Sequence, residues 1–337
     1  MRRYLTIPAL IILLALSDVR YASATDIPAD VVAADHQIYS YGEMIEDISL
    51  LAAKYPGIIT VSSMGTSSYG RNIPVVIIGN TNATKKVLVQ STIHAREYMC
   101  TLVVMEIIEY ICDSYYSNEV NGIKYSDLLN NVCFHVIPMV NPDGVEIAQR
   151  GYDGAATEAT RMWLQSQVAS GAKMSRIKSN ANGVDLNRNF SIGFGNGKKI
   201  SAAPCFEFYP GGSSMDQAET HGLAQYSSKG FYAFVNYHSS GQIIYYGAGI
   251  NTPENAERSK ALANLLAGYN NYKTVSESQT AVYGSFGDYV QKTYDRPSAT
   301  LEIGTVTPTP MSQFKKIFNA NKDSWGGVAY AIFMGQF

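Results

Sequence analysis

His94 and Glu97 stand three positions apart where the apolar run Val87-Leu88-Val89 gives way to Gln90-Ser91-Thr92, and His238 follows the apolar run Phe231 to Tyr237 in the same way. Two imidazoles and one carboxylate are the donor set of a catalytic zinc site, which leaves a fourth position to water. Taken singly, each histidine would also fit a strand cap or a core position. Their recurrence at strand ends is what points to metal. Further along, Thr300-Leu301-Glu302-Ile303-Gly304 places a carboxylate inside an apolar strand, where an ionised group is costly unless a cation or a task is close by. A buried ion pair would explain Glu302; so would the role of general base, taking a proton from an activated water and returning it to a leaving amine.

A second cluster lies in Gly183-Val184-Asp185-Leu186-Asn187-Arg188-Asn189-Phe190. The planar fork of Arg188 can pair bidentately with a carboxylate, and Asn187 adds donors beside it. Together they suit a substrate with a free carboxyl end.

These residues need a scaffold that brings strand ends together. The pattern predicts a helix over Tyr41 to Tyr55, ended by Pro56-Gly57, and strands over Ile58 to Ser63 and Ile73 to Ile78. It continues with a buried strand over Lys86 to Thr92, a long helix over Tyr98 to Tyr115, and a strand over Cys133 to Val140 closed by an Asn141-Pro142-Asp143-Gly144 turn. Gln217 to Lys229 and Glu254 to Tyr269 read as helices, Phe231 to Tyr237 and Ser298 to Ile303 as strands, and the chain ends in helices. Short apolar strands between long helices imply an α/β sheet with helices on both faces, whose strand carboxyl ends are where such sheets place their sites. Between Gly151 and Pro210 the periodicity is weak and Gly, Ser and Asn are frequent, which predicts long functional loops.

The chain has 337 residues, of which 46% are hydrophobic and 16% charged, enough to bury a full core in one large domain or two small ones. A net charge of −2 gives no basic footprint for nucleic acid, and there is no run of like charges to meet a membrane or a polyanion. Residues 1–24 run from Arg2 and Arg3 through the apolar stretch Leu5 to Leu16 to Ala22-Ser23-Ala24, the order of a secretory signal peptide cleaved near Ala24. That apolar stretch is shorter than the ~20 residues a bilayer span requires. Residues 25–35 then form a short N-terminal segment with no room for a folded pro-domain, leaving 36–337 as the catalytic unit. Cys100, Cys112, Cys133 and Cys205 form no C-x-x-C pair, Cys133 reads as a buried small hydrophobe, and no obligatory disulfide is expected.

Together these segments resemble the zinc carboxypeptidases related to carboxypeptidase A, and the match runs from about His36 to the C-terminus. The resemblance implies a single domain on a central, twisted sheet of mixed parallel and antiparallel strands with helices on both faces, acting on peptides; the segment 1–24 adds the expectation of secretion, and a monomer is expected. It places one zinc ion on His94, Glu97 and His238, Asp185 behind the first histidine as its orienting carboxylate, and Glu302 as the base. Asn187 and Arg188 fall on the grip for the terminal carboxylate, Arg96 on a second cation that places substrate, and Tyr283, in Ala281-Val282-Tyr283-Gly284-Ser285, on a tyrosine that closes over the bound chain end. The family's oxyanion arginine is replaced by Lys178 in Arg176-Ile177-Lys178-Ser179-Asn180, with Arg176 or Arg161 as substitutes. Cys205 matches a family disulfide cysteine whose partner position here reads Ala181-Asn182. Gly287, before Asp288, occupies the position that sets side-chain preference; with no acidic group there, a neutral side chain is expected, bulky ones included. The ending Glu302-Ile303-Gly304-Thr305 followed by Pro308-Thr309-Pro310 resembles bacterial members, some of which cut γ-D-glutamyl to diamino-acid bonds in cell-wall peptides. Three functions are candidates: a carboxypeptidase, a cell-wall peptide endopeptidase with the same zinc chemistry, and an inactive binding module. Such a module would be expected to have lost a ligand or the base, and none is lost. No G-x-S-x-G elbow marks a serine hydrolase.

Overall fold

The computed structural model describes residues 28–197, 199–247, 251–276 and 283–337; the signal-type segment 1–24 lies outside the described residues, as do Ala281 and Val282 beside Tyr283. The first part of the chain runs α1 (Tyr41–Lys54), β1 (Ile59–Thr66), β2 (Asn72–Ile78), β3 (Lys85–Ser91) and α2 (Met99–Asp113). A small hairpin of β4 (Glu119–Val120) and β5 (Ile123–Lys124) leads into α3 (Tyr125–Asn131), β6 (Val132–Ile137), α4 (Pro142–Arg150), α5 (Glu158–Ala169), α6 (Ala218–Ser227) and β7 (Ala233–Ser239). The chain closes with β8 (Ile243–Tyr246), α7 (Pro253–Asn270), β9 (Lys273–Ser276), α8 (Phe286–Tyr294), β10 (Ser298–Ile303), α9 (Phe314–Asn321) and α10 (Ser324–Phe333).

Eight strands form one sheet in the order β1-β2-β6-β3-β7-β10-β8-β9. The centre, β6-β3-β7-β10, is parallel; β1, β2 and the β10–β8 pair are antiparallel, so the sheet is mixed. Successive strand residues face opposite sides. Val87, Val89 and Val235 pack with α1, α2, α3, α7, α9 and α10, whereas Leu88 and Phe234 pack with α6 and α8. Helices therefore cover both faces of a single α/β domain. By the same alternation, Gln90, Asn236, His238, Thr300 and Glu302 belong to the α6/α8 face.

Two segments differ from the sequence expectation. The stretch from Gly151 to Pro210 is not loop throughout, because α5 occupies Glu158–Ala169, started by Thr157, whose hydroxyl accepts from Thr160 N at 3.1 Å. Only Thr160 and Leu164 of that helix are buried, so its apolar stripe is nearly absent from the sequence. Asn141-Pro142-Asp143-Gly144 is the start of α4 rather than an isolated turn: Asn141 Oδ1 accepts from Gly144 N at 3.0 Å, and Pro142 sits in the first turn, where its missing N–H costs nothing.

Packing also begins upstream of His36. Val31 and Val32 are buried, and their N–H groups donate to Glu109 of α2 at 2.9 and 2.8 Å, while Lys54 of α1 reaches the same carboxylate at 2.7 Å. On the same helix, burial together with Asp30, Glu109 and Asp47 pushes Glu106 up to about 8. A carboxyl raised in the folded state holds its proton there at pH values where the unfolded chain has lost it, so its contribution favours folding most at acid pH and declines as pH rises from about 4.5 to about 8. Glu106→Gln is therefore expected to raise the melting temperature relative to wild type at pH 8 and to leave it nearly level at pH 4.5. Equal differences at both pH values in a thermal scan would exclude this role.

Candidate metal centre and substrate cleft

Strands β3 and β7 lie side by side and point the same way, so their carboxyl ends open at one edge of the sheet. His94 follows β3 and begins the short turn Ala95–Glu97 that leads into α2. His238 is the penultimate residue of β7, and its register partner on β10 is Glu302. The turn is tied down by a neighbouring segment: Ala95 N donates to Lys178 O at 3.1 Å and Arg96 N to Ile177 O at 3.0 Å.

His94, Glu97 and His238 converge, each no more than 5% exposed. The two Nδ1 atoms stand 3.2 Å apart, His94 Nδ1 is 3.0 Å from Glu97 Oε1, and His238 Nδ1 is 3.1 Å from Glu97 Oε2. Ligands ~2.0–2.1 Å from a tetrahedral zinc stand about 3.3 Å from one another, so these separations fit the edges of such a site. Asp185 Oδ1 lies 3.3 Å from His94 Nε2, beside the ring nitrogen that faces away from the cluster, while Nδ1 faces Glu97 and His238. Burial works against the charge of Glu97, but His94 and His238 more than offset it and hold the carboxyl well below the usual carboxylate range. Asp185 is wholly buried; the hydrogen bond and charge of His94, with Arg188 and Lys178, again outweigh burial and keep it ionised. Two imidazole nitrogens and a carboxylate that converge on one point are the donor set of a divalent cation. The residues fit zinc.

The cleft beside the cluster holds about 440 Å³, within the range of small-ligand sites. It is lined by His94, His238, Glu302, Lys178, Asn187 and Arg188, with Tyr283 and Gly287 on the α8 side. Asn187 Oδ1 accepts from Phe286 N at 2.9 Å, which ties the turn to the first residue of α8 and leaves the amide nitrogen for the cleft. Arg188 is braced by its Nη1 donating to Asn187 O at 2.9 Å and by the Tyr283 ring 5.2 Å from its Cζ. The close approach of these segments requires glycine at 284: φ is +78°, and a Cβ would meet Arg188 O at 2.5 Å.

A second arm of the site carries Arg96, Arg176 and Lys178 with His94, Glu97 and Glu302. Arg96 is buried, donates to Arg176 O at 2.9 Å and lies 3.5 Å from Glu207 Oε2. Of the three cations considered for the oxyanion, Lys178 lines both arms and packs over the Phe208 ring, Arg176 lines the second arm, and Arg161 lies on α5 near Asp153 and Glu158. Cys205 is free, its Sγ donating to Glu207 O at 2.9 Å, and the other three cysteines are free and buried.

The sequence reading did not single out Gln90, Asn236 and Thr300, which also line the cleft. The signal was present, since Gln90 and Asn236 interrupt Val87-Leu88-Val89 and Phe234-Val235-Tyr237 much as Glu302 interrupts its own strand. Glu207 and Phe208, which support the cations, come from a stretch without periodicity and left no such sign.

The sequence profile of the zinc carboxypeptidases matches residues 44–324. A γ-D-glutamyl-L-diamino acid endopeptidase of Lysinibacillus sphaericus is 28% identical over 287 residues, covering 84% of this chain and 70% of that protein. Carboxypeptidase B of Astacus astacus is 25% identical over 261 residues, covering 74% of this chain and 79% of its own. Among solved structures, carboxypeptidase A from Helicoverpa armigera shares the fold with a TM-score of 0.66 at 22% identity, over 89% of this chain and 74% of that one. With a profile match over most of its length and a buried His-Glu-His cluster at the carboxyl edge of a mixed sheet, the chain belongs to the zinc carboxypeptidase family, the M14 peptidases.

Proposed function

We propose that this protein is an exported zinc carboxypeptidase that removes the C-terminal residue of peptides. The observation that carries the reading is the meeting of His94, Glu97 and His238 in a cleft that Glu302 and Arg188 also line. His94, Glu97 and His238 would hold one zinc ion, which when bound polarises a carbonyl and brings the pKa of a water from about 15.7 towards roughly 7. Glu302 takes the proton of the attacking water and returns it to the leaving amine. Lys178 faces the negative charge that develops on the carbonyl oxygen. Arg188 and Asn187 pair with the terminal carboxylate, Tyr283 covers the bound end, and Arg96 is a second cation for the substrate on the far side of the cluster. Asp185 keeps His94 in the tautomer that binds metal.

Arg188→Ala tests the grip on the chain end. It should lower kcat/KM for a blocked dipeptide by roughly 100-fold, with most of the change in KM, because a charge-assisted bidentate pair is lost from ground state and transition state alike. The same dipeptide ending in an amide should be a poor substrate for wild type and little altered by the substitution. An amidated peptide cut as fast as the free acid would remove the carboxylate grip from the reading.

The Lysinibacillus relative favours a second reading, hydrolysis of the γ-D-glutamyl to diamino-acid bond, with the same residues in the same roles. Incubation with a γ-D-glutamyl-diaminopimelate peptide and with α-linked dipeptides separates the two by which bond is cut. Export rests on Arg2 and Arg3, the apolar stretch Leu5 to Leu16 and Ala22-Ser23-Ala24. N-terminal sequencing of the protein recovered outside the cytoplasm is expected to begin near Thr25. Among the described residues no helix is long and apolar enough to cross a membrane.

A further inference from the structure

Beneath the metal cluster lies a second layer of polar side chains. His238 and Glu302 are register partners on β7 and β10; two residues nearer the start of the same strands, Asn236 and Thr300 are partners, and Gln90 of β3 is the partner of Asn236 on its other side. At about 3.3 Å per residue this row runs across three strands about 7 Å below the row that carries His238 and Glu302, on the same face. Gln90 and Asn236 are at most 1% exposed, yet both line the cleft.

The row is hydrogen-bonded in one direction. Gln90 Nε2 donates to Asn236 Oδ1 at 3.4 Å, and Asn236 Nδ2 donates to Ser298 Oγ at 2.9 Å and to Thr300 Oγ1 at 3.4 Å. Gln90 Oε1 is left as a buried acceptor that receives no hydrogen bond from the described residues. At the other end, Thr300 Oγ1 accepts from Asn236 and so has its own proton to give. A buried acceptor without a donor is unfavourable, and an apolar group placed against it would make the loss permanent. Gly287 adds no side chain above the row: a Cβ there would come no closer than 3.6 Å to Thr300 Oγ1 and 3.8 Å to Ser298 Oγ. Phe286 gives the stem of an incoming side chain an apolar wall.

We infer that this row is the floor of the pocket for the side chain of the departing residue, and that it selects a long side chain ending in an N–H donor with an acceptor beside it. Two substrate classes share that chemistry: the carboxamide of glutamine, and the far amino-acid end of a diamino acid such as diaminopimelate. Leucine and phenylalanine can fill the apolar part of the pocket but carry no donor and leave Gln90 Oε1 unpaired. The inference deepens the proposed function, since it takes the cleft beside the metal cluster as the substrate site.

Binding is measured by calorimetry on the zinc-loaded Glu302→Gln protein, with blocked dipeptides that differ only in the last residue: leucine, phenylalanine, glutamine or diaminopimelate. The glutamine or diaminopimelate ligand, or both, should bind at least roughly tenfold tighter than the leucine and phenylalanine ligands. A lead for glutamine alone assigns the pocket to the carboxamide, and one for diaminopimelate alone to the diamino acid. Leucine or phenylalanine binding as tightly as both polar ligands would overturn the inference. Gln90→Met, of similar shape, should bring the ratio of polar to apolar affinity towards one; the ranking in the protein with Gln90 intact decides the matter if that variant does not fold. Turnover persisting in Glu302→Gln would strike the mechanism and leave the pocket to be judged by the ranking, whereas an apolar ranking with turnover abolished would strike the pocket alone.

Discussion

Glu302→Gln is expected to lower hydrolysis of a blocked dipeptide by roughly 10²–10⁴-fold, chiefly in kcat, while zinc stays at one ion per chain. The amide keeps the shape of the side chain on β10 beside His238 but cannot accept a proton at neutral pH. Because Glu302 is not one of the clustered ligands, metal content and melting temperature should follow wild type. Product release measured by chromatography, with metal analysis of the same sample, separates chemistry from folding. Turnover within a few fold of wild type would take Glu302 out of the mechanism.

His238→Ala should act on the metal itself. It removes one of three converging donors and leaves Glu97 and His94 with a vacancy at the end of a buried strand. Zinc affinity is expected to fall by more than the roughly 10–100-fold that accompanies loss of a residue that only orients a ligand, and hydrolysis should fall with it. Asp185→Asn provides that milder comparison, since it keeps all three donors and disturbs only the partner of His94 Nε2. Thermal scans give an independent readout: an ion bound only by the folded protein stabilises it by about 2.7 kcal/mol at a hundred times its Kd, so added zinc should raise the Tm of wild type strongly, of Asp185→Asn less, and of His238→Ala least. Equal zinc-dependent shifts in all three proteins would place the ion elsewhere.

Much of this was legible in the sequence because strand ends in an open α/β sheet are marked twice, by apolar runs and by the polar residues that stop them. His94, His238 and Glu302 could be found that way, and the structure brings the first two together with Glu97. The central strands were legible for the same reason. Short strands such as Ile243–Tyr246 and the edge strand Lys273–Ser276 were not, since four residues carry too little periodicity. Asn141-Pro142-Asp143-Gly144 shows a different difficulty: the residues that favour a turn are also those that cap and open a helix, and only the helical spacing of Val145 and its successors distinguishes the two. The floor of the cleft could have been read from Gln90 and Asn236, but a polar residue in a strand announces only that it has a partner, and which partner depends on register between strands far apart in the chain.

One short piece of backbone has a consequence for product length. Asp185, which backs the metal cluster, and Asn187 and Arg188, which face the cleft, belong to one tight turn, closed by Arg188 N donating to Asp185 O at 2.9 Å and pinned to α8 through Asn187. On the proposed reading, the point of scission and the anchor for the chain terminus are thereby fixed to a common ruler that neither can leave without the other. Such a ruler measures off one residue per cycle, and a substrate would be shortened in unit steps, its ladder of products showing no skipped rung.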